Sequence, residues 1–219
     1  MANIVIFGAG DIARLAHFYF STDSDHTVVA FTVDATYRNS DTFLGLPLVP
    51  FDQVALIYPP SAYKMFVAMS YAKMNQVRAA KYNEARALGY GLVSYVSSRC
   101  SFLTQYPHGD NCFILEENTV QPFVRLGSNV TLWSGNHIGH DSTIGDHSFI
   151  SSHVVVSGHV EVGSHCFIGV NATLRNNIRI AEFTLVGAGA LVMKDTTPRS
   201  VFVAARTAPF SRTSDLVDL

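Results

Sequence analysis

The sequence predicts two parts: an α/β half-domain of the Rossmann-like type over residues 1–100, then a parallel β-helix of hexapeptide repeats over residues 101–219, with a C-terminal extension. Two observations indicate this fold. The first is a short apolar run followed by a glycine-rich turn and a helical stretch at the start of the chain. The second is an aliphatic residue at every sixth position from Ile114 to Val192.

The six-residue spacing identifies the second part as a β-solenoid. A helix needs apolar residues three and four apart and an amphipathic strand needs them every two, so period six fits neither. In a solenoid each repeat supplies one short strand and one turn, and three repeats close a triangular coil. Residues eighteen apart then stack about 4.8 Å above one another. We expect the aliphatic residue and the residue four places later to point inward; the aliphatic positions are Ile114, Val120, Leu126, Leu132, Ile138, Ile144, Ile150, Val156, Val162, Ile168, Leu174, Ile180, Val186 and Val192. The spacing leaves the handedness of the coil open.

Composition limits the classes of partner. The chain has 219 residues, 48% of them hydrophobic, and a formal net charge of −2. It has no basic field for nucleic acid and no run of the roughly 18 apolar residues that a membrane helix needs, so we expect neither partner. The three cysteines lack a paired or metal-like spacing, and Asp11 comes too early for a signal peptide. We therefore expect a cytoplasmic protein.

The first part opens with the order strand, glycine turn, helix, strand, acid. Ile4 to Phe7 is an apolar run, Gly8-Ala9-Gly10-Asp11 follows, and a second buried strand, Thr27 to Val33, ends at Asp34. Glycines in this context let a phosphate approach the free N–H groups of a helix N-terminus. Asp34 is placed to accept a hydrogen bond from a ribose hydroxyl or a base. A tight turn that binds nothing is the alternative.

The rest of the first part continues as α/β. We expect Asn75 to cap a helix from Gln76 to Leu88, and Gly91 to Val96 to be the last strand. This is about half of a doubly wound fold, so we expect one nucleotide group and not NAD. Residues 97–111 show no clear periodicity and are interpreted as the connection to the solenoid.

Histidines are concentrated in the solenoid. His147, His153, His159 and His165 take the same outward place in successive repeats, and among these four only His147 and His165 stack. We expect most of them to be solvated residues of a corner or a face. The spacing does not match the three converging histidines of a solenoid carbonic anhydrase, so we expect no metal site.

His140 differs because it comes one place earlier in its repeat and precedes Asp141. An imidazole suits proton removal at neutral pH, and a neighbouring carboxylate can orient it. His140 is therefore the candidate general base.

Several motifs together resemble a known family. They are Gly8-Ala9-Gly10, the stretch from Trp133 to Asp141, the stretch from Phe167 to Thr173, and Val186-Gly187-Ala188-Gly189-Ala190. With them the whole chain resembles the bacterial sugar-nucleotide acetyltransferases of the left-handed β-helix superfamily, which include N-acetyltransferases of 4-amino-sugars and sialic acid O-acetyltransferases. The resemblance implies a left-handed coil and a homotrimer with active sites between neighbouring solenoids.

The resemblance also implies a reaction and its residues. Acetyl would pass from acetyl-CoA to the 4-amino group of a UDP- or dTDP-linked amino-deoxy sugar, with His140 as base and Asp141 as its partner and with no metal. The thioester carbonyl would lie near the N–H of Gly158, the pantetheine arm would pass Ala188, and the nucleotide would lie on Gly8, Gly10, Asp11 and Asp34. Surface polysaccharide (O-antigen or lipopolysaccharide) biosynthesis is the setting that the family suggests.

Two points stay open. The family usually closes with Val-x-Val-Gly-x-Pro-Ala, whereas this chain reads Val-Phe-Val-Ala-Ala-Arg-Thr-Ala over residues 201–208, which puts contacts to the nucleotide end of CoA in doubt. The alternatives to N-acetylation are O-acetylation of a sugar hydroxyl, as on a sialic acid, and a non-catalytic solenoid that binds a ligand.

Overall fold

The computed structural model describes residues 1–209 and 211; Phe210 and residues 212–219 of the C-terminal extension lie outside the described residues. The chain begins with a five-stranded sheet in the order β3-β4-β2-β1-β5, parallel except for β3. Its strands are β1 (Asn3–Phe7), β2 (Thr27–Val33), β3 (Thr42–Phe43), β4 (Leu46–Pro50) and β5 (Lys64–Val67). The helices are α1 (Asp11–Thr22), α2 (Val54–Ile57) and α3 (Gln76–Ala87), with 3-10 turns at Ala35–Tyr37 and Phe51–Gln53.

The predicted order of strand, glycine turn, helix and strand is observed. Helix α1 buries Ala13, Ala16 and Phe20, at three- and four-residue spacing, against the sheet. Gly8 has φ +126°, and a Cβ there would lie 2.6 Å from the Ala68 carbonyl oxygen, so only glycine fits this turn. Among the described residues, no helix has the length and apolar character needed to cross a membrane.

Residues 95–202 form a triangular solenoid with three parallel sheets. The docked face packs against the first part over its strands up to Phe167–Ile168. It consists of Tyr95–Val96, Phe113–Ile114, Thr131–Leu132, Phe149–Ile150, Phe167–Ile168, Leu185–Val186 and Val201–Phe202. The open face consists of Ser101–Phe102, Thr119–Val120, His137–Ile138, Val155–Val156, Thr173–Leu174 and Leu191–Val192. The polar face consists of Arg125–Leu126, Thr143–Ile144, Glu161–Val162 and Arg179–Ile180.

The predicted register is confirmed. Strands pair with partners eighteen residues on, as His137 pairs with Val155 and Val155 with Thr173; the last pair, Leu185 with Val201, departs from this spacing. Each of the fourteen predicted aliphatic residues is buried, and they share one core with inward residues such as Val130, Val154 and Ala172. No single repeat could bury this surface alone, so stacking of coils creates the core.

Each corner of the triangle turns through a left-handed residue. The third residue after the aliphatic position has positive φ in thirteen of the fourteen repeats, Asp195 being the exception; examples are Asn129 (57°), Asp141 (58°), His147 (63°) and His159 (56°). Asn, Asp and His tolerate this conformation better than most residues. The four recurring histidines are therefore corner residues, as the sequence predicts.

Three sequence-based expectations were wrong. Tyr95–Val96 does not join the first sheet: it pairs with Phe113–Ile114 on the docked face, and only Leu92 forms a bridge, to Met65. The connection 97–111 contains the strand Ser101–Phe102, which pairs with Thr119–Val120 on the open face. Val96 and Phe102 continue the six-residue register, but His108 at the next aliphatic position conceals it.

The third error concerns Asn75, which does not cap α3 with its side chain. Asn75 has φ 63°, and its amide nitrogen donates to the carbonyls of Cys166 (3.1 Å) and His165 (3.4 Å) in the solenoid. Its side-chain oxygen accepts from Arg78. Asn75 therefore attaches the start of α3 to the solenoid.

Arg78 is the centre of this attachment. Its guanidinium is 2% exposed and donates to Asn75 Oδ1 (2.9 Å), the His147 carbonyl (2.9 Å), and both the carbonyl and the side chain of Asn129. Burial lowers the pKa of Arg78 to about 10, which leaves it charged at neutral pH. A buried cation with this many acceptors holds the two parts of the chain in one arrangement.

Candidate active site

The turn between the open and polar faces carries the candidate base. This His140 corner comprises residues 139–142, 157–160 and 175–178. The Nδ1 of His140 lies 2.8 Å from Asp141 Oδ2, and both side chains are about half exposed, at 52% and 41%. An ionised carboxylate only accepts, so Nδ1–H donates to it and the lone pair of the ring is left on Nε2.

Gly158 lies directly beside that nitrogen, one coil further on. A Cβ at Gly158 would come 2.7 Å from His140 Nε2 and 2.8 Å from Cε1. The described hydrogen bonds include none donated by the Gly158 N–H. A proton acceptor and a main-chain donor therefore lie next to each other, with no side chain between them.

The backbone around His140 is held on both sides. Its N–H donates to Gln121 Oε1 (2.9 Å), and its carbonyl accepts from the N–H of His159 (2.9 Å). Ser142 points inward, where its hydroxyl donates to the Ser157 carbonyl (3.0 Å) and accepts from the Val160 N–H (3.0 Å). The ring thus stands on a fixed backbone while the side chain itself reaches solvent.

The predicted nucleotide residues line one cavity of about 680 Å³ in the first part of the chain. Gly8, Gly10, Asp11 and Asp34 all contribute to it, at the N-terminus of α1 and the carboxyl ends of β1 and β2. A Cβ at Gly10 would meet nothing within 4 Å, so the space beside this turn is open. Asp11 is 88% exposed and lies 3.3 Å from Arg14, away from the sheet.

Asp34 is not a free acceptor. Its Oδ1 lies 2.7 Å from the ammonium of Lys81, which also lies 2.6 Å from Glu84. Burial lowers the pKa of Lys81, but the hydrogen bonds to Asp34 and Glu84 outweigh it, so the net shift is upward. The cavity therefore contains a cation, Lys81, that the sequence motif does not include.

Ala188 lines a separate groove of about 320 Å³, on the turn between the docked and open faces. This Trp133 corner comprises residues 133–136, 151–154, 169–172 and 187–190. Ile12 and Tyr71 line both the groove and the nucleotide cavity, so the two spaces adjoin. Tyr71 packs against Phe149 and Phe167, with ring centroids 5.0 and 4.6 Å away.

The structure brings some predicted residues together and keeps others apart. His140, Asp141 and Gly158 form one group, and Gly8, Gly10, Asp11 and Asp34 form another. Within one chain the first group lies at the His140 corner, whereas the second lines the nucleotide cavity of the first part, which adjoins the Trp133 corner on the other edge of the open face. The outward residues of the open face include Val155 (39% exposed) and Leu191 (61% exposed).

His159, Lys81 and Tyr71 are functional candidates that sequence reasoning missed. His159 stacks eighteen residues after Asp141, and its ring centroid is 5.0 Å from that of His140. The eighteen-residue spacing of stacked positions could have predicted that His159 lies beside Asp141. Lys81 and Tyr71 lie on a helix and a loop without a motif, so nothing in the sequence pointed to them.

His147 and His165 stack as predicted, with ring centroids 4.7 Å apart, but they are partly buried against the first part of the chain. Burial, followed by the charge of His165, lowers the pKa of His147 to about 4. Its Nδ1 accepts from Asn129 Nδ2 (2.9 Å). His147 is thus held neutral and belongs to the attachment of α3.

Comparison with known proteins gives matches to a repeat family and to solved structures. Residues 123–158 match the bacterial transferase hexapeptide (six repeats) family. No curated protein matches the chain. A histidine-to-asparagine variant of perosamine N-acetyltransferase from Caulobacter crescentus, in complex with CoA and GDP-perosamine, has 22% identity and a TM-score of 0.81, covering 92% of this chain and 93% of that one.

Two further structures are similar over nearly their full length. The acetyltransferase domain of PglB from Neisseria gonorrhoeae has 18% identity and a TM-score of 0.79, covering 92% of this chain and 96% of that one. WeeI from Acinetobacter baumannii has 20% identity and a TM-score of 0.68, with the same coverage. The repeat and these matches confirm the predicted likeness, and the fold is the left-handed β-helix.

Proposed function

We propose that the protein transfers acetyl from acetyl-CoA to the 4-amino group of a nucleotide-linked amino-deoxy sugar, with His140 as general base. The observation that carries the proposal is the pair formed by His140 and Gly158: an imidazole nitrogen with a free lone pair beside an unused main-chain N–H. Acyl transfer to an amine needs one group to take a proton and another to stabilise an oxyanion. The structural similarity to sugar N-acetyltransferases supports the same reaction class.

The chemistry proceeds by direct attack. The neutral amine attacks the thioester carbonyl, and Nε2 of His140 takes the amine proton as the tetrahedral species forms. The developing oxyanion accepts from the Gly158 N–H, and collapse releases the CoA thiolate, which regains a proton. Asp141 holds the ring in the tautomer that leaves Nε2 free and stabilises the imidazolium.

A covalent acyl-cysteine step is not needed. Burial raises the pKa of Cys100, Cys112 and Cys166 to about 11, so these thiols stay protonated at neutral pH. A thiol is a poor nucleophile compared with its thiolate. Direct transfer between the two substrates is therefore the favoured route.

The nucleotide occupies the cavity of the first part. Its phosphates lie at the N-terminus of α1, where Gly8 and Gly10 leave room for an anion close to free N–H groups. Lys81 supplies a nearby cation, and Asp34, already bonded to it, keeps one carboxylate oxygen for a ribose or base donor. The family resemblance implies uracil or thymine as the base of the nucleotide. The GDP-perosamine bound to the Caulobacter crescentus enzyme adds guanine to the nucleotide bases to be tested.

The active site forms between subunits of a homotrimer. In one chain the nucleotide cavity adjoins the Trp133 corner and the base stands at the His140 corner, on opposite edges of the open face. Three chains packed around an axis with their open faces inward would bring the Trp133 corner of one to the His140 corner of the next. Acetyl-CoA then runs in the groove between them, with its pantetheine arm along Ala188.

A thiol-release assay with acetyl-CoA tests the proposal. The acceptors are 4-amino-sugars linked to UDP, dTDP or GDP, with a free sialic acid as the O-acetylation control. We expect turnover on at least one amino-sugar nucleotide and a loss of about 10²–10⁴-fold in the His140→Ala protein, the usual contribution of a general base. His140→Asn is the matched control because it keeps a donor to Asp141 but cannot act as a base.

Four outcomes would contradict the proposal or part of it. Turnover only on sialic acid would favour O-acetylation, and absence of turnover on every acceptor would favour a binding module. Near-normal turnover by His140→Ala would remove His140 from the mechanism. Sedimentation velocity on the same preparations reports the oligomeric state, and an active monomer would contradict the shared site.

A further inference from the structure

His140, Asp141 and His159 form a compact set of donors of the kind that binds a transition metal. Asp141 Oδ2 lies 2.8 Å from His140 Nδ1 and 3.8 Å from His159 Nε2, and the three ligand atoms all lie within 4.8 Å of one another. In the described part of the chain this is the only group of three or more His, Cys, Asp and Glu side chains so close together. We infer that these three residues form a binding site for a borderline divalent cation of the zinc class.

The backbone holds the three ligands on two adjacent coils. Asp141 and His159 occupy equivalent left-handed corner positions eighteen residues apart, with φ of 58° and 56°. The N–H of His159 donates to the carbonyl of His140 (2.9 Å), which fixes the spacing of the coils. The ligands therefore start from a platform that the solenoid keeps rigid.

The geometry is close to what zinc requires. Bonds of about 2.1 Å at a tetrahedral ion separate the ligand atoms by about 3.4 Å. The separations in the structure bracket that value, so side-chain rotations that move the donor atoms by about 1 Å are enough. The three side chains are 52%, 41% and 55% exposed, so they are free to rotate, and water can complete the coordination.

The ligand types select the ion. Two imidazoles and one carboxylate suit zinc and its neighbours, whereas magnesium prefers oxygen ligands in an octahedral arrangement. Spacing of histidines alone gives no reason to expect this site, because one ligand is a carboxylate and the histidines are nineteen residues apart. Their proximity depends on the stacking of coils.

Occupation of this site would stop proton transfer without blocking the substrates. A metal bound to Nδ1 of His140 displaces the hydrogen bond to Asp141 and leaves the single proton of the neutral ring on Nε2. Nδ1 gives its proton to water and Nε2 takes one from water, so the net charge of the ring does not change. Nε2 then has no lone pair to accept the amine proton, and kcat falls while KM changes little. Binding of the metal is independent of the proposed function; only this effect on turnover rests on it.

Metal binding is measured first, on the full chain. Zn²⁺ is titrated calorimetrically, and Co²⁺ is titrated by visible absorption as its spectroscopic substitute. We expect one ion per chain, at least tenfold weaker binding in His159→Ala and in His140→Ala, and no change in Glu161→Gln, which removes an exposed carboxylate next to the corner but outside the set. Equal affinity in wild type and His159→Ala, or displacement of Co²⁺ by Mg²⁺, would overturn the site.

Turnover is measured second. Zn²⁺ at a saturating concentration should lower kcat of the wild type, EDTA should restore it, and His159→Ala should resist the inhibition at least tenfold. Inhibition of equal strength in His159→Ala would contradict the proposed effect. A protein that acetylates no acceptor but still shows three-ligand Co²⁺ binding would refute the proposed function and leave the metal site intact.

Discussion

Replacement of Gly158 by alanine should slow catalysis without unfolding the protein. The new Cβ would lie 2.7 Å from Nε2 and 2.8 Å from Cε1 of His140, whereas ordinary contact begins near 3.4 Å. The obstacle is the far end of a half-exposed side chain, so the ring moves aside by about 0.7 Å or more and the backbone stays in place. A displacement of about 1 Å at a reacting group can cost about 10²-fold in rate. We therefore expect kcat to fall about 10- to 100-fold, with the KM of both substrates nearly unchanged.

Steady-state kinetics by thiol release, together with a thermal melt, checks this prediction. The matched control is Gly145→Ala at the equivalent position of the next corner, where the Cβ would lie 2.7 Å from the backbone carbonyl carbon of Gly163, away from the site. Backbone cannot yield as a side chain can, so this variant should lower the melting temperature instead. A Gly158→Ala protein with wild-type kcat would refute the placement of the reacting atoms between His140 and Gly158.

Two further predictions concern the attachment of the first part to the solenoid. Arg78→Met leaves the carbonyls of Asn129 and His147 without their buried donor. Because hydrogen bonds to a charged group contribute about 1.5–3 kcal/mol each, the free energy of unfolding measured in urea should fall by about 3 kcal/mol or more. An unchanged unfolding midpoint would contradict the role given to Arg78. His147 has a folded-state pKa of about 4 against an ordinary value of 6.5, so the unfolded chain binds more protons between these values. The stability that neutral His147 contributes is therefore complete above about pH 6.5 and is lost as the pH falls toward 4. The free energy of unfolding should be lower at pH 5 than at pH 7.5, and this difference should be smaller in His147→Gln. An equal difference in both proteins would exclude His147 as the cause.

The solenoid could be predicted from the sequence because its register is periodic. With Ile138 and Ser142 assigned inward, His140 had to face outward, and the structure agrees. The six-residue pattern was not recognisable where a single residue interrupted it. His108 takes an aliphatic position, so the strands at Tyr95–Val96 and Ser101–Phe102 were not recognised as part of the solenoid.

Contacts between distant residues could not be predicted in this way. Lys81 reaches Asp34 across 47 positions, and Asn75 reaches Cys166 across 91. Both depend on how α3 lies against a sheet and a solenoid, which no local pattern encodes. Asn75 looked like a helix cap because its residue type favours one, but tertiary contacts used the same polar atoms instead.

The left-handed corner position explains both the many histidines and the one that differs. Side chains at this position stack every eighteen residues into ladders: Asn129 bonds His147, His147 stacks on His165, and His165 stacks on Phe183 at 4.6 Å. That ladder lies where α3 is attached to the solenoid. Asp141 and His159 belong to an equivalent ladder at the His140 corner, where both side chains are exposed in the single chain.

His140 is not in a ladder, since it precedes the left-handed residue and has ordinary backbone geometry. Its ring can therefore lie beside Asp141, within its own repeat, and over Gly158, in the next coil. The candidate base is thus distinguished by a shift of one position in a repeat that otherwise places histidines for structural reasons. The number of histidines in such a solenoid says little about chemistry, while the position of each within its repeat says which of them can take part.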